Sequence, residues 1–288
     1  MSRLPYWLNF HRALGVRHFL IVDNDSSDGT SNFLADQSDV SLWSTKARYR
    51  DARFGLDWSS YLQLKFGAGH WCLLLDADEL LIYPFHDTHN LYTLTEEMEK
   101  RNQIALGCLM LDMYAKDGLG RGNYVSGTDP ISVLSNFDVG PYRSVRQAPR
   151  QNLWVQGGMR ERAFFAHNPR QSPTLNKIPL VNWKRAYAYT NSAHAALPPH
   201  MNLQYDGPTE SKRITGALLH TKFLPEIVER SEIEKKRGQH FHTPEIFDRY
   251  YDAIQNKPNV WSEHSATYEG WQQLEDLSLI TRAGWKAV

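Results

Sequence analysis

The sequence predicts one large α/β domain with a mostly parallel, doubly wound sheet flanked by helices, followed by a C-terminal helical extension. Two observations carry this prediction. Short apolar runs typical of buried strands alternate with segments of helical spacing. The most apolar run, from Trp71 to Leu75, has no polar face, as expected for a strand covered on both sides in a parallel sheet.

The first half of the chain reads as a regular alternation of helix and strand. Leu4, Trp7 and Leu8 recur at helical spacing, and Gly15 follows where a helix commonly ends. The predicted elements are a helix over residues 4–14, a strand over 18–22, a helix from Thr30, and then a strand over 40–43, a helix over 56–68 and a strand over 71–75.

The second half is less regular. Residues 118–149 are rich in Gly, Pro, Ser and Asn, which predicts a long irregular insertion of the kind that often carries function. The other predicted elements are a helix end over residues 95–101, strands over 104–111 and 216–220, and helices over 225–237 and 244–254.

Composition excludes several classes of protein. Thirty-two basic residues balance 32 acidic ones, so there is no positive surplus to neutralise a nucleic-acid backbone. The two cysteines, Cys72 and Cys108, lie in apolar stretches and are expected to be free core thiols. No run is long and apolar enough to span a bilayer, and the N-terminus lacks a charged region followed by an apolar one. We expect a cytoplasmic protein with at most peripheral membrane contact.

Acidic residues follow two of the predicted strands. Asp76 and Asp78 end the run at Leu75, and Asp23 and Asp25 end the strand over 18–22. Ligands of parallel sheets gather beyond the carboxyl ends of strands, where two carboxylates can hold one hard divalent cation. The alternative is that Asp76 caps a turn and that the other carboxylates are solvated. Two acidic strand-end loops in one half of the chain favour a shared crevice.

Several motifs in order resemble those of glycosyltransferase family 2-like proteins of the GT-A fold, a Rossmann-like α/β fold, in the branch with a D-x-D-E motif. The two main motifs are Ile21-Val-Asp-Asn-Asp-Ser-Ser-Asp-Gly-Thr30 and Leu74-Leu-Asp-Ala-Asp-Glu-Leu80. The likeness continues through Gly157-Gly-Met-Arg160-Glu-Arg162, Lys177-Ile-Pro-Leu-Val, Ser192-Ala-His194 and Leu218-Leu-His220-Thr-Lys222, so it covers most of the chain.

The chain departs from the family pattern before its first helix. Family members usually have a strand and an Asn-Glu pair before the helix that starts here at Leu4, whereas only Met1-Ser-Arg precedes it. Without that strand, we expect exposed sheet edges and an incomplete base pocket.

The resemblance implies a role for each of a set of polar residues. Asp78 and His220 would hold a divalent metal, Mn²⁺ or Mg²⁺. The nucleotide-sugar donor would be bound by Asp23, Asp25, Asp76, Arg160, Arg162, Lys177 and Lys222. Two alternatives stay open from the residues themselves: His220 as a hydrogen-bonded core histidine, and Lys222 as an ordinary exposed lysine.

The implied reaction moves a sugar from a nucleotide donor to a saccharide or lipid-linked acceptor, in the synthesis of envelope or extracellular polysaccharide. A cation would stabilise the leaving diphosphate. An inverting transferase also needs a carboxylate base, for which Glu161 and Asp112 are the candidates. Glu161 would alternatively pair with its neighbouring arginines.

The implied domain organisation places the transferase domain at residues 1–222, with a nucleotide-binding half at 1–112 and an acceptor half at 113–222. Residues 223–288 form the helical extension. Two other functions stay open: a catalytically inactive nucleotide- or carbohydrate-binding homologue, and a phosphotransferase that uses the D-x-D motif. The second is disfavoured because Asp78 is followed by Glu79-Leu80 rather than by the expected threonine motif.

Overall fold

A computed structural model describes residues 1–208, 211–229, 231–232 and 244–286. Its helices are α1 (Leu4–Ala13), α2 (Thr30–Ala35), α3 (Leu56–Leu62), α4 (Leu91–Lys100), α5 (Gly158–Phe164), α6 (Pro244–Gln255) and α7 (Trp271–Asp276). A short π-helix, Gln63–Gly67, continues α3. Its strands are β1 (Phe19–Asp23), β2 (Val40–Ser44), β3 (Trp71–Leu73), β4 (Glu79–Ile82), β5 (Ala105–Asp112), β6 (Asn136–Asp138), β7 (Tyr142–Gln147), β8 (Asn152–Gly157), β9 (Asn176–Asn182), β10 (Ala188–Tyr189), β11 (Ala196–Leu197), β12 (Thr215–His220) and β13 (Ser265–Thr267).

The fold is mixed α/β, as predicted, but its central sheet is not mostly parallel. Five strands run in the order β3-β9-β5-β12-β4. Only β5 and β12 are parallel, and the pairs β3 with β9, β9 with β5 and β12 with β4 are antiparallel. The prediction of a mostly parallel sheet is therefore wrong for this sheet. The sequence also predicts that the run from Trp71 is covered on both faces, but β3 is half-buried at the edge of the sheet, whereas β5 is buried throughout. A continuous apolar run does not record the direction of the neighbouring strand.

Eight further strands form two-stranded sheets. β1 and β2 are a parallel pair, as the alternation in the first half predicts. β7 with β8, β6 with β13 and β10 with β11 are antiparallel. The strands β6 and β7 lie within residues 118–149, so the prediction of a wholly irregular insertion there is wrong. Most of β7 is exposed, and its few apolar residues give no clear periodic signal.

The C-terminal segment packs on the main core rather than standing apart. Trp271, Leu274 and Trp285 are buried in the same hydrophobic cluster as Leu109 of β5 and Leu218 of β12. The segment also contributes β13, so its described part is not entirely helical. The helix predicted over residues 225–237 lies partly outside the described residues. The division into domains at residue 222 stays a prediction.

Within the described ranges, no helix combines the length and the apolar composition needed to cross a bilayer.

Helix α1 buries a histidine whose protonation should be linked to stability. His11 is 1% exposed, and its Nδ1 donates to the carbonyl of Trp7 at 2.8 Å. Burial lowers the pKa of His11 to about 4, against the backbone hydrogen bond that raises it. The unfolded chain therefore binds a proton at a pH where the folded chain does not. The stability that the neutral His11 contributes is complete above about pH 6.5 and is lost as the pH falls towards 4.

We therefore expect the wild type to lose about 3 kcal/mol more of its unfolding free energy than His11→Leu between pH 7.5 and pH 4. Urea denaturation of both proteins across this range measures the difference. Parallel pH profiles would show that His11 does not titrate on unfolding.

Candidate functional site

Charged side chains from six segments meet at one edge of the central sheet. Asp112 ends β5 and His220 ends β12, and the two residues are paired in the parallel register. Because β4 and β9 run antiparallel to these strands, their first residues lie at the same edge. Glu79 thereby pairs with His220. The set, called here the strand-end cluster, consists of Arg3, Asp76, Asp78, Glu79, Asp112, Arg160, Lys177, His220 and Lys222.

In one part of the cluster, a single ammonium group serves two carboxylates. Nζ of Lys177 donates to Oδ2 of Asp76 at 2.7 Å and to Oε1 of Glu79. The other Glu79 oxygen, Oε2, accepts from the backbone N–H of Asp76 at 3.0 Å. The Lys177 side chain is 3% exposed and that of Glu79 is fully buried, whereas that of Asp76 is 61% exposed. We call Asp76, Glu79 and Lys177 the lysine pair-bridge.

The charge of Lys177 and burial shift the pKa values of the groups in this bridge. The ammonium of Lys177 lowers the pKa of Asp76. Burial raises the pKa of Glu79 to about 7, although Lys177 opposes the shift. His194 lies near enough that burial, and then the charge of Lys177, lower its pKa to about 4. Its Nδ1 donates to the carbonyl of Asn176 at 2.6 Å, so His194 is a neutral, fixed side chain at neutral pH.

The other part of the cluster is built on Asp112. Oδ1 of Asp112 accepts from Arg160 and lies 2.7 Å from Nδ1 of His220. Arg160 and Asp112 are both almost fully buried. Burial raises the pKa of Asp112, but the charges of Arg160 and His220 outweigh this and lower it to about 2. Asp112 is therefore an anion at neutral pH that orients the guanidinium of Arg160 and the imidazole of His220.

Asp78 lies on the opposite side of the same histidine. Its Oδ2 is 3.5 Å from Nε2 of His220 and 3.4 Å from Nη1 of Arg3. Thr221 fixes the loop, because its N–H and its hydroxyl donate to the Asp78 carbonyl at 2.7 and 2.9 Å. Burial raises the pKa of Asp78, but the charges of His220, Arg3 and Lys222 outweigh burial and hold it well below its usual range.

Lys222 is a further basic residue close to Asp78. It is half-buried, and its Nζ lies 5.4 Å from the ring centroid of Tyr250. Burial, and then the charge of Arg160, lower its pKa. Among the described residues, no carboxylate lies within ion-pair distance of Lys222. The charge of Lys222 also lowers the pKa of Asp78.

The charges beside Asp78 favour an anionic ligand over a divalent cation. The carboxylates of Asp78 and Asp112 face the cations Arg3, Arg160 and Lys222 in addition to His220. In the described part of the chain, no group of three or more His, Cys, Asp or Glu side chains is arranged to hold a metal ion. Asp78 and His220 do come together as predicted, but with a guanidinium beside them. This set of donors does not fit a divalent cation as it stands.

A separate open cleft of about 330 Å³ lies against the loop that precedes His194. Seven residues line it: Arg50, Arg53, Phe54, Leu56, Thr190, Asn191 and Ser192. Arg53 is engaged by Asp57, with its Nε at 2.7 Å from Oδ1. The loop from Thr190 continues to His194, whose pKa is lowered by the charge of Lys177 in the lysine pair-bridge.

The acidic loop after β1 makes its own contacts outside the cluster. Asp23 accepts from the Ser31 hydroxyl at 2.7 Å and from the Ser26 N–H at 3.2 Å. Burial raises the pKa of Asp23, but these two hydrogen bonds outweigh it and lower the pKa overall. Asp25 is exposed and lies 3.9 Å from Lys46. The contacts of both carboxylates therefore remain within the loops that follow β1 and β2.

Two further predicted residues point away from the cluster because residues 158–164 form a helix. Successive side chains of a helix are about 100° apart. Arg160 therefore faces the cluster, whereas Glu161 accepts from Arg143 at 2.5 Å and from Ser172 at 2.8 Å. Arg162 donates to both Asp138 oxygens at 3.0 Å.

Sequence reasoning missed Arg3 as a member of the cluster and did not assign a role to Glu79. Arg3 precedes α1 and meets a residue 75 positions later in the chain, so no local pattern marks it. Glu79 had a signal, because it is an acidic residue that opens the apolar run Leu80-Leu-Ile82. A carboxylate at the start of a buried strand needs a cationic partner.

No protein-family model, curated protein or solved structure matches this chain.

Proposed function

We propose that the chain is a nucleotide-sugar glycosyltransferase whose diphosphate site is the strand-end cluster. The observation that carries the proposal is a set of three cations close to Asp78 and Asp112. Arg3 lies beside Asp78, Arg160 donates to Asp112 and contacts His220, and the charge of Lys222 lowers the pKa of Asp78. Cationic side chains fixed in a buried setting bind phosphate oxygens more strongly than they would in water. The motif resemblance gives this anion its identity as the diphosphate of a sugar donor.

The chemistry required of such a site is stabilisation of a leaving diphosphate. Breaking the bond from sugar C1 to the diphosphate concentrates negative charge on its oxygens, and prepositioned donors lower the energy of that state. Asp112 fixes the guanidinium of Arg160 by accepting its hydrogen bond, and the ammonium of Lys222 lies over the ring of Tyr250. Both groups are therefore prepositioned donors. The Mn²⁺ or Mg²⁺ that the resemblance implies at Asp78 and His220 has no part in this proposal, because the guanidinium of Arg3 lies beside those two side chains.

The proposal includes the finer features implied by the resemblance. The fold would be GT-A, with residues 1–112 binding the nucleotide and 113–222 the acceptor. The acceptor would be a saccharide or a lipid-linked sugar at the cytoplasmic side of a membrane.

A second candidate, a homologue that binds nucleotides without turnover, is favoured by the state of the two candidate bases. The pKa of Asp112 is lowered to about 2, so it is a poor proton acceptor near neutral pH. Glu161 is held outside the cluster by Arg143 and Ser172.

Turnover of a panel of nucleotide sugars separates the two candidates. Release of nucleoside diphosphate that increases with a saccharide acceptor supports the transferase. Tight binding of a nucleoside diphosphate with no release from any donor supports the binding protein. Binding of no nucleoside diphosphate contradicts both, and release of inorganic phosphate from sugar phosphates would support the phosphotransferase instead.

A further inference from the structure

Helix α1 carries Arg3 into the cluster by a defined contact. The indole Nε1 of Trp7 donates to the backbone carbonyl of Glu79 at 2.9 Å, which fixes α1 over the start of β4. Residues four positions apart lie on the same side of a helix. Arg3, four positions before Trp7, therefore lies beside Asp78, the residue that precedes Glu79.

The segment that contains Arg3 is packed and hydrogen-bonded. The carbonyl of Ser2 accepts from the Gly127 N–H at 2.9 Å and from the Ser126 hydroxyl at 3.0 Å. Arg3 is 8% exposed. Burying a guanidinium costs free energy unless its charge is matched. The fold therefore places the charge of Arg3 specifically beside Asp78.

Arg3 lies beside the Asp78 oxygen that faces His220. Its Nη1 is 3.4 Å from Asp78 Oδ2, the same oxygen that is 3.5 Å from His220 Nε2. A divalent ion bound to this oxygen would lie against a permanent positive charge. A diphosphate would instead meet two guanidinium groups, those of Arg3 and Arg160, which suit phosphate oxygens by charge and by their planar arrangement of donors.

We propose that the guanidinium of Arg3 takes the place of a metal ion at Asp78, so that the cluster binds a diphosphate group without a divalent cation. The inference rests on the proposed function for the identity of the diphosphate as part of a nucleotide. The arrangement itself serves inorganic pyrophosphate equally, because the contacts are to phosphate oxygens. Metal ions would add little to the diphosphate affinity of the wild type, since Arg3 already supplies positive charge at Asp78.

Calorimetric titration with inorganic pyrophosphate, UDP and GDP, each in EDTA and in Mn²⁺, tests this inference. We expect wild-type affinities that differ by less than about twofold between the two buffers. Arg3→Ala should bind at least about tenfold more weakly in EDTA, because a charge-assisted contact is lost. Mn²⁺ should restore part of this loss, because removing the guanidinium opens Asp78 to a cation.

Arg12→Ala is the matched control. Arg12 lies in the helix that begins directly after Arg3, and its partner is Asp39, at 2.6 Å, away from the cluster. The control should bind all three ligands as the wild type does. Arg3→Lys keeps the charge and should retain more affinity in EDTA than Arg3→Ala. If Arg3→Ala unfolds, the comparison of Arg3→Lys with wild type in the two buffers replaces it.

Three outcomes overturn the inference: wild-type binding that requires Mn²⁺, an Arg3→Ala affinity in EDTA equal to that of the wild type, or no pyrophosphate binding in EDTA. The proposed function fails separately. Pyrophosphate binding with the expected Arg3 dependence, but without binding of any nucleoside diphosphate, would contradict the proposed function and support the inference. Binding of UDP or GDP only with Mn²⁺ would contradict the inference and support the proposed function.

Discussion

Replacing Lys177 by methionine is expected to lower the free energy of unfolding by about 3 to 5 kcal/mol, because it leaves a buried carboxylate without its cation. Glu79 is the carboxylate that bears this cost, since its side chain is fully buried, whereas Asp76 is 61% exposed and regains water. Methionine keeps the unbranched shape of the lysine stem, so the change in packing is small. Urea denaturation at pH 8 measures the loss.

The double variant Lys177→Met, Glu79→Gln separates charge from packing. A neutral glutamine still accepts from the Asp76 N–H, so the double variant should regain at least half of the lost stability. Lys184→Met, at an exposed position, should change stability by less than about 0.5 kcal/mol. A loss below about 1 kcal/mol in Lys177→Met would mean that Glu79 is not held as a buried anion.

Replacing Arg160 by methionine should weaken the binding of a nucleoside diphosphate by roughly 10- to 100-fold, equivalent to about 1.5–3 kcal/mol for one charge-assisted contact. The substitution also removes the arginine that pairs with the buried carboxylate of Asp112, so the fold should become less stable. Weak binding by a partly unfolded protein would be uninformative without a variant that suffers the same structural loss.

Arg162→Met supplies that variant. Arg162 lies in the same helix, and its partner Asp138 is 2% exposed, so this change also leaves a buried carboxylate without its arginine. Arg162→Met should be destabilised to a similar degree and bind nucleoside diphosphates as the wild type does. Equal losses of affinity in Arg160→Met and Arg162→Met would place the diphosphate site away from the strand-end cluster.

The residues that the sequence brings together correctly are those at strand ends. Asp76, Asp112, Lys177 and His220 each end or begin an apolar run, and the ends of neighbouring strands meet at a sheet edge whatever their direction. The sequence predicts a crevice shared by the acidic loops at Asp23 and Asp76, whereas the contacts of Asp23 and Asp25 lie outside the strand-end cluster. Strand direction depends on how the connecting segments cross the sheet, which no short pattern records.

Other predicted residues lie away from the cluster for a different reason. Glu161, a candidate base, and Arg162, a predicted donor-binding residue, follow Arg160 in the helix over residues 158–164, which turns these side chains away. Asp23 and Asp25 lie after β1, which pairs with β2 outside the central sheet. Arg3 gives no local signal at all, because its role arises from the placement of α1 by Trp7.

Titration calorimetry with nucleoside diphosphates tests the central claim most directly. The ligands are UDP, GDP, CDP, ADP and dTDP, each compared with its unphosphorylated nucleoside in EDTA and in Mn²⁺. We expect at least one diphosphate to bind with a micromolar Kd and its nucleoside to bind at least about 100-fold more weakly, because the cluster contacts phosphate. Absence of binding by every diphosphate in both buffers, or equal binding of nucleoside and diphosphate, would contradict it.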